Sequence, residues 1–410
     1  MSEQAAETTG LRRVEGVSLP RSVQTSTDTM ASPTSPLPCV PSPGPHRSDR
    51  AARITAIIVN YKVADQVLDA VASIERQAVP VDLHLVDNSV CARQAKRLRA
   101  TGLPVLENRE NVGFGRACNQ VYRATQSDYL LLLNPDARLL PGALAAMRAH
   151  LDAHPEVAAV GPRPYWDTAR QFLLPPIRMP SNTTLPVLSL PGPAGAALRQ
   201  RLSLAWRARA LRFWCAQQPL RQDCLSGGHV LLRRSAVDAA GGLFDPSFFL
   251  YWEDVDLFRR LRAIGARADL LPAAGVIHPF GASSRSATTA TSDLSLQSRA
   301  LYMRKHHRWS TRLTDLLRKL RGDAPSVPRP VATAALSTPI PQAWQRHWCI
   351  ELSPEPLFLW PLGLLGRGPT LQWPQSLPDW VTSGQAYARL GPATGVRTEF
   401  IVVPVGQRRS

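Results

Sequence analysis

Residues 54–86 read ITAIIVNYKVADQVLDAVASIERQAVPVDLHLV, in which an apolar run, a helix-like stretch and a second apolar run follow one another. The first run covers residues 54–60, the helix-like stretch covers 64–77, and the second run covers 81–86. Alternation of this kind is typical of a mostly parallel sheet whose faces are covered by helices. We therefore predict an α/β fold.

The alternation continues well beyond this segment and is broken once, by many prolines between residues 162 and 219. The pattern predicts helices at residues 91–99, 113–125, 141–154 and 254–264, and strands at 129–133, 157–160, 230–232 and 268–271. Residues 51–161 therefore resemble the nucleotide-binding half of an α/β domain.

The two ends of the chain have a different composition. Residues 1–50 are rich in Ser, Thr and Pro and poor in large apolar groups, which predicts a disordered tail without the apolar core of a signal peptide. Residues 323–410 are rich in Pro and Trp and show no clear periodicity, so we treat them as an extension of unknown role. Nowhere does an apolar run reach the roughly 20 residues that span a bilayer, which predicts no transmembrane helix.

The chain is strongly basic. Its 48 Lys and Arg residues exceed its 31 Asp and Glu residues, for a formal charge of +17, which favours nucleotide diphosphates, nucleic acid or an anionic membrane as partners. The sequence lacks a recognisable nucleic-acid recognition helix or interleaved aromatic motif, so we expect no nucleic-acid partner. The 6 cysteines are scattered without zinc-site spacing, which favours a reducing cytoplasm.

A basic amphipathic stretch occupies residues 197–216 and includes Trp206 and Trp214. Two interpretations stay open for it. The stretch could lie peripherally on an anionic membrane, at the inner face of the plasma membrane, or its aromatic side could pack on the domain.

Polar residues follow two of the predicted strands. Asp87 and Asn88 come after the strand at 81–86, and their carboxylate and amide suit the hydroxyls and base of a nucleoside. Ligands bind beyond the carboxyl ends of parallel strands, which is where this pair would lie. The alternative is an ordinary turn closing the strand.

A candidate metal site follows the run of leucines at 130–133. Asp136 could hold Mg²⁺ or Mn²⁺ against a diphosphate, Asn134 could add a neutral oxygen, and His278 could add an imidazole nitrogen. A capped turn and a structural histidine are the competing interpretations.

Two glycine-containing segments permit a close backbone approach to a ligand. Gly113 opens a helix in the segment 111–119, where Arg116 is a candidate phosphate partner. Gly227 and Gly228 precede a strand and could pass under a sugar or phosphate. Both segments are also compatible with structural turns.

An acidic cluster starts the predicted helix at 254–264. Adjacent helical residues point about 100° apart, so Glu253 and Asp254 would have different tasks. We predict that Asp254 is the general base for an acceptor hydroxyl and that Glu253 orients it or the substrate. Carboxylates that complement the helix dipole are the alternative, above all for Asp256.

Together these segments resemble family 2 glycosyltransferases, in particular the rhamnosyltransferase-like branch. The resemblance rests on residues 57–61 (IIVNY), 86–89 (VDNS), 111–115 (NVGFG), 134–136 (NPD), 226–228 (SGG), 253–257 (EDVDL), His278 and 302–306 (YMRKH). It covers residues 54 to about 309, and the metal motif departs from a two-carboxylate version at Asn134.

The resemblance implies a GT-A fold in residues 51–322, with residues 162–322 forming an acceptor half. It implies an inverting, metal-dependent hexosyltransferase that moves a sugar such as rhamnose from a nucleotide diphosphate donor to a saccharide or lipid-linked acceptor in cell-surface polysaccharide synthesis. By position, Asp87 would contact the nucleoside, Asp136 the metal, Asp254 the acceptor hydroxyl, and His278 the metal or the diphosphate. The implied nucleotide-sugar set is Asn60, Asp87, Asn88, Asn111, Gly113, Arg116, Asn134, Gly227 and Gly228. The alternative is a catalytically idle nucleotide- or carbohydrate-binding protein of the same fold.

Overall fold

The computed structural model describes residues 53–279, 289–321, 337–374, 377–382, 386–394 and 400–402. The predicted tail at residues 1–50 lies outside these ranges, as does the start of the predicted extension. The strands are β1 (Ile54–Asn60), β2 (Val81–Asp87), β3 (Val105–Glu107), β4 (Tyr129–Leu133), β5 (Arg138–Leu139), β6 (Val157–Tyr165), β7 (Phe172–Leu173), β8 (Leu220–Gln222), β9 (His229–Arg233), β10 (Arg267–Ile277), β11 (Ser337–Pro339), β12 (Trp348–Ser353), β13 (Leu362–Gly366), β14 (Thr370–Gln372), β15 (Tyr387–Pro392) and β16 (Ile401–Val402). The helices are α1 (Ala64–Glu75), α2 (Ala92–Arg99), α3 (Phe114–Ala124), α4 (Ala143–Ala153), α5 (Thr184–Ser189), α6 (Gly192–Trp214), α7 (Arg234–Ala239), α8 (Glu253–Ala263), α9 (Thr289–His306), α10 (Arg308–Arg321) and α11 (Asp379–Thr382).

A mixed sheet with the order β16-β15-β12-β13-β7-β6-β9-β4-β1-β2-β3 forms the centre of the molecule. β3, β2, β1 and β4 are parallel neighbours, and β10 runs parallel to β6. β9 lies antiparallel between β4 and β6. The predicted α/β class is confirmed, and this architecture agrees with the GT-A fold implied by the resemblance.

Both faces of the sheet are covered, as the continuous apolar runs predict. Residues 54, 56 and 58 of β1 pack with α1 and α4, whereas residues 57 and 59 pack with α3, α8 and α9. Successive strand residues point to opposite faces, so burial on both sides removes any alternation of apolar and polar residues.

The carboxyl-terminal residues extend this sheet. β13 pairs antiparallel with β7, and β12, β15 and β16 follow outward from it. All six residues of β12 are buried, including Glu351 and Ser353, which alternate with Ile350 and Leu352.

The basic stretch at 197–216 belongs to α6, and its aromatic end packs on the domain. Trp214 is fully buried and its Nε1 donates a hydrogen bond to Leu174 O at 2.8 Å. Trp206 instead lies against the Arg178 guanidinium, whose carbon is 3.8 Å from the ring centroid. The packing interpretation is confirmed for Trp214, which has no surface left for a membrane. Among the described residues, no helix is long and apolar enough to cross a bilayer.

Candidate active site

The predicted site residues lie where the parallel strands end. β1, β2 and β4 run in register beside one another, so the residues that follow Asn60, Asp87 and Leu133 emerge at one edge of the sheet. His278 follows β10, and its N–H donates to Tyr165 O at 2.7 Å, at the end of β6. The topology thus supplies two groups of side chains, one on the β1–β2 side and one on the β4–β10 side.

The first group is centred on the buried Asp87 carboxylate. Asn60 Nδ2 donates to Asp87 Oδ1 at 2.9 Å and to Ser89 Oγ at 2.9 Å, and the Ser89 N–H donates to the same carboxylate oxygen at 2.9 Å. Asn60 is fully buried and its own Oδ1 accepts the Val63 N–H. The buried Asn60 side chain therefore fixes the orientation of the Asp87 carboxylate.

Asn88 connects this group to the start of α3. Its Nδ2 donates to Gly113 O at 3.2 Å, and its Oδ1 accepts from Asn108 Nδ2 at 2.8 Å. Asn111 Oδ1 accepts the Gly113 N–H at 3.0 Å, which shapes the turn before the helix. The predicted residues Asn88, Asn111 and Gly113 therefore form one hydrogen-bonded unit.

Gly113 also brings the first group against the segment that leads to the acidic cluster. Its φ is +86°, and a Cβ at this position would lie 2.4 Å from Phe249 O. The next N–H, of Phe114, donates to the same carbonyl at 2.9 Å. A side chain is excluded here both by conformation and by contact. Arg116, on the first turn of α3, is exposed and its Nε donates to Pro246 O at 2.8 Å.

The second group contains the predicted metal ligands. Asp136 Oδ1 lies 3.3 Å from His278 Nε2, and both side chains are almost completely buried. Asn134 Nδ2 lies 3.4 Å from the same imidazole nitrogen. The structure therefore brings together residues that are more than a hundred positions apart in the sequence.

His229 is a member of this group that the sequence analysis did not select. Its ring meets that of His278 edge-on with centroids 5.2 Å apart, and it is buried at the start of β9. Burial, followed by the nearby His278 charge, lowers the pKa of His229 to about 3, so the ring is neutral. The available signal was its position directly after Gly228.

Gly227 and Gly228 join the candidate base to the candidate metal ligands. The Gly227 N–H donates to Asp254 Oδ2 at 3.1 Å, and the Asn134 N–H donates to Gly228 O at 2.8 Å. A Cβ on Gly227 would lie 2.9 Å from Asp254 Cβ, and one on Gly228 would lie 2.5 Å from Asn134 Nδ2. Only residues without a side chain allow this approach on both sides.

Asp254 and Glu253 are the first two residues of α8, and their environments differ. Asp254 is partly exposed, and its oxygens accept from Gly227 N at 3.1 Å and Val255 N at 2.8 Å. Burial raises the pKa of Asp254 above its usual value despite these hydrogen bonds. Burial, and then the charge of Asp254, raise the pKa of Glu253 to about 8. The backbone hydrogen bonds at Asp254 favour its ionised form, so within the pair the proton is favoured on Glu253.

The residues before α8 are held in a strained conformation. Tyr251 and Trp252 have φ values of 66° and 70°, in the left-handed region that non-glycine residues rarely adopt. α9 supports them, because Ser298 Oγ donates to Leu250 O at 2.8 Å and the rings of Trp252 and Tyr302 are 5.3 Å apart. Such strain is characteristic of functional sites whose surroundings fix the backbone.

Asp256 has a structural role, as the dipole-complementing alternative suggests. Its buried carboxylate contacts Lys305 Nζ and His306 Nε2 at 2.7 Å each and Arg260 Nε at 3.0 Å. Burial acts against ionisation, but the hydrogen bonds from Lys305, His306 and Arg260 hold the pKa of Asp256 below its usual value. The carboxylate therefore ties α8 to α9.

The implied metal is compatible with the donors present. One carboxylate and one imidazole lie together at Asp136 and His278, and these donor types suit Mn²⁺, or Mg²⁺ with more water. Within the described ranges no group of three His, Cys, Asp or Glu residues could hold a metal. Two protein ligands fit a cation whose other positions are taken by water and substrate phosphates.

Comparison with known proteins agrees with this geometry. Residues 55–213 match the family model "Glycosyl transferase family 2". The N-acetylglucosaminyl-diphospho-decaprenol L-rhamnosyltransferases of two Mycobacterium tuberculosis strains are 29% identical to the chain over 218 residues. The alignment spans 48% of this chain and 66% of each relative.

Solved glycosyltransferase structures also match, at low TM-scores. The mannosyltransferase PcManGT from Pyrobaculum calidifontis, in complex with GDP-Man and Mn²⁺, is 15% identical with a TM-score of 0.39, covering 68% of this chain and 77% of that one. S. aureus TarS 1-349 in complex with UDP is 12% identical with a TM-score of 0.36, covering 55% and 60%. Residues 55–213 are thus similar to glycosyltransferases of family 2, and the chain resembles curated rhamnosyltransferases over 48% of its length.

Proposed function

We propose that the protein is an inverting glycosyltransferase that moves a sugar from a nucleotide diphosphate donor to a hydroxyl of a saccharide or lipid-linked acceptor. The observation that carries the proposal is the double contact of Gly227 and Gly228, which holds Asp254 and the Asn134–Asp136 turn on either side of one short backbone segment. A base beside a candidate diphosphate site is the arrangement that direct displacement requires.

The residues have separate tasks in this reaction. Asp87, fixed by Asn60 and Ser89, binds the nucleoside, and Asn88 holds the backbone of Gly113 beside it. Asp136 and His278 would hold the divalent cation, which supplies Lewis-acid stabilisation to the departing diphosphate. Asn134 holds the turn before Asp136 against Gly228.

Asp254 takes the proton of the acceptor hydroxyl as its oxygen attacks the anomeric carbon. The bond from that carbon to the diphosphate breaks on the opposite face, so one displacement inverts the centre. Its raised pKa makes Asp254 a stronger base than an ordinary aspartate, while Gly227 N and Val255 N keep the carboxylate oriented. Glu253, protonated and adjacent, avoids a second negative charge near the incoming diphosphate.

Substrate classes follow from the relatives. Their name states an L-rhamnosyl donor and a lipid diphosphate acceptor, so we propose a nucleotide-activated rhamnose donor and a lipid-linked saccharide acceptor in cell-wall polysaccharide synthesis. The basic charge of +17 suits both diphosphate groups.

Calorimetric titration of nucleotide diphosphate sugars, with Mn²⁺ and with chelator, tests the proposal. We expect one donor to bind tightly with Mn²⁺ and to lose affinity at least about tenfold in Asp136→Ala. The surface variant Asp69→Ala serves as the control, because Asp69 is exposed and pairs with Arg138. Failure of every donor to bind would contradict the proposal.

A further inference from the structure

The α10 helix buries two small polar residues and exposes three large apolar ones. Ser310 and Thr314 are buried. Their hydroxyls donate hydrogen bonds to His307 O and Ser310 O, respectively, one helical turn earlier in the chain. His307, also buried, contacts Asn182 next to α5, and α10 packs against α5. The face that docks on the domain is therefore polar but internally satisfied.

The opposite face carries Trp309, Leu313 and Leu316, which we call the apolar stripe. Their exposed fractions are 56%, 38% and 55%. The spacing of four and three residues places all three side chains on one side of the helix. Three large apolar side chains in a row on a helix surface mark an interaction site more often than isolated ones do.

Basic residues border the apolar stripe. Arg308, Arg312 and Lys319 are exposed, in a row that also contains Asp315, and Arg304 is exposed at the end of α9. By sequence, α10 has five basic residues and one acidic residue. An apolar face flanked by Arg and Lys, with Trp at its start, is the pattern of a helix lying in a membrane interface.

We propose that α10 docks on the surface of an anionic lipid bilayer, with the apolar stripe inserted and the arginines at the headgroups. The positive charge favours an anionic lipid surface over a second copy of this chain, because two copies would bring their basic rows together. This membrane contact differs from the one that was an open interpretation for α6, whose Trp214 is buried.

The docking surface is mechanically connected to the candidate base. Only His307 separates α9 from α10, and Lys305 and His306 hold Asp256 on α8, two residues after Asp254. Docking would place the helix that bears the base next to the surface in which a lipid-linked acceptor resides. The link between docking and a lipid-linked acceptor rests on the proposed function. The docking of α10 on a membrane does not.

Vesicle flotation with the full chain tests the docking. We expect wild type to float with vesicles of phosphatidylcholine and phosphatidylglycerol and to stay unbound with phosphatidylcholine alone. Substitution of the apolar stripe, Trp309→Gln with Leu313→Gln and Leu316→Gln, should lower the bound fraction at least about tenfold. Arg308→Glu with Arg312→Glu should have a similar effect and weaken the salt dependence.

Leu198→Gln on α6 is the matched control, since Leu198 is also an exposed leucine on a basic helix, and it should bind like wild type. Circular dichroism melting and donor titration establish that the variants are folded, and neither depends on lipid. The proposal is overturned if wild type ignores anionic vesicles, if the stripe variant binds normally, or if light scattering shows a lipid-free dimer that the stripe variant dissolves. Because no donor is present during flotation, this result is independent of the transferase activity.

Discussion

At the residue scale, two adjacent carboxyl groups are made unequal by their surroundings. Asp254 is partly exposed and accepts two backbone N–H groups, whereas Glu253 is 5% exposed and its Oε2 lacks a hydrogen-bond partner within the described part of the chain. Hydrogen bonds favour the ionised form and desolvation favours the neutral one. These surroundings therefore favour the carboxylate on Asp254 and the proton on Glu253.

This division predicts opposite results for two isosteric variants. Asp254→Asn removes the base and should lower kcat by about 10²–10⁴-fold while donor affinity is kept. Glu253→Gln replaces a protonated acid by a neutral amide and should keep kcat within about tenfold near pH 7. Initial rates of nucleoside diphosphate release measure both, with Asp223→Asn, a surface partner of Arg209, as the control. Equal losses in the two variants would contradict the assignment.

Glu253 should also affect the pH dependence of stability. Its pKa rises from 4.5 to about 8 in the folded chain, so its stabilising contribution is complete below about pH 4.5 and is lost as pH rises towards 8. Glu253→Gln cannot ionise, so its melting temperature relative to wild type should increase between pH 5 and pH 8. Each kcal/mol of unfolding free energy that wild type loses over this range corresponds to about 2–4 °C. Calorimetric melts across this range test the sign, and a difference that does not change with pH would refute it.

At the scale of the elements, the turn before β9 sets the distance between the base and the candidate metal ligands. In Gly228→Ala the new Cβ would meet the Asn134 side chain at 2.5 Å, so this side chain or the turn that carries it must move. We expect donor affinity in the presence of Mn²⁺ to fall at least about tenfold, since displacements near 1 Å have large effects in such sites.

The matched control is Gly161→Ala in β6. Its nearest neighbour would be the Leu225 side chain at 3.2 Å, a milder overlap than the one at Gly228. Calorimetric titration of both variants should show a loss in Gly228→Ala alone. Normal donor binding by Gly228→Ala would mean that the turn tolerates a side chain and does not set the site.

The same elements show how far sequence can predict this site. Strands β1, β2 and β4 are continuous apolar runs, and polar residues at their ends identify Asp87, Asn88, Asn134 and Asp136 because parallel strands end at one edge. The antiparallel insertion of β9 between β4 and β6 has no local signal, and it is this insertion that brings His229 to His278. Pairing between distant strands depends on the whole sheet, which periodicity within one segment does not encode.

At the scale of the whole molecule, the carboxyl-terminal strands are joined to the domain that carries the candidate site by a buried charged cluster. Arg389 Nε and Nη2 contact the two oxygens of Glu351 at 2.6 and 2.8 Å, and Arg207 of α6 contacts Glu351 as well. All three residues are at most 2% exposed. The arginines lower the pKa of Glu351 despite its burial, so the carboxylate is charged. Arg207 therefore belongs to the buried face of α6. The local sequence does not indicate this, because its partner Glu351 lies 144 residues away.

This cluster predicts a large loss of stability in Glu351→Gln. The substitution leaves two buried guanidinium groups without their counter-charge, which costs about 3–5 kcal/mol. Asp69→Asn, which breaks an exposed pair with Arg138, should cost at most about 1 kcal/mol and is the control. Urea unfolding followed by tryptophan fluorescence measures both values. A single destabilised transition in Glu351→Gln would show that β12 to β16 unfold together with the rest of the domain, whereas an unchanged midpoint would mean that the cluster contributes little to joining them.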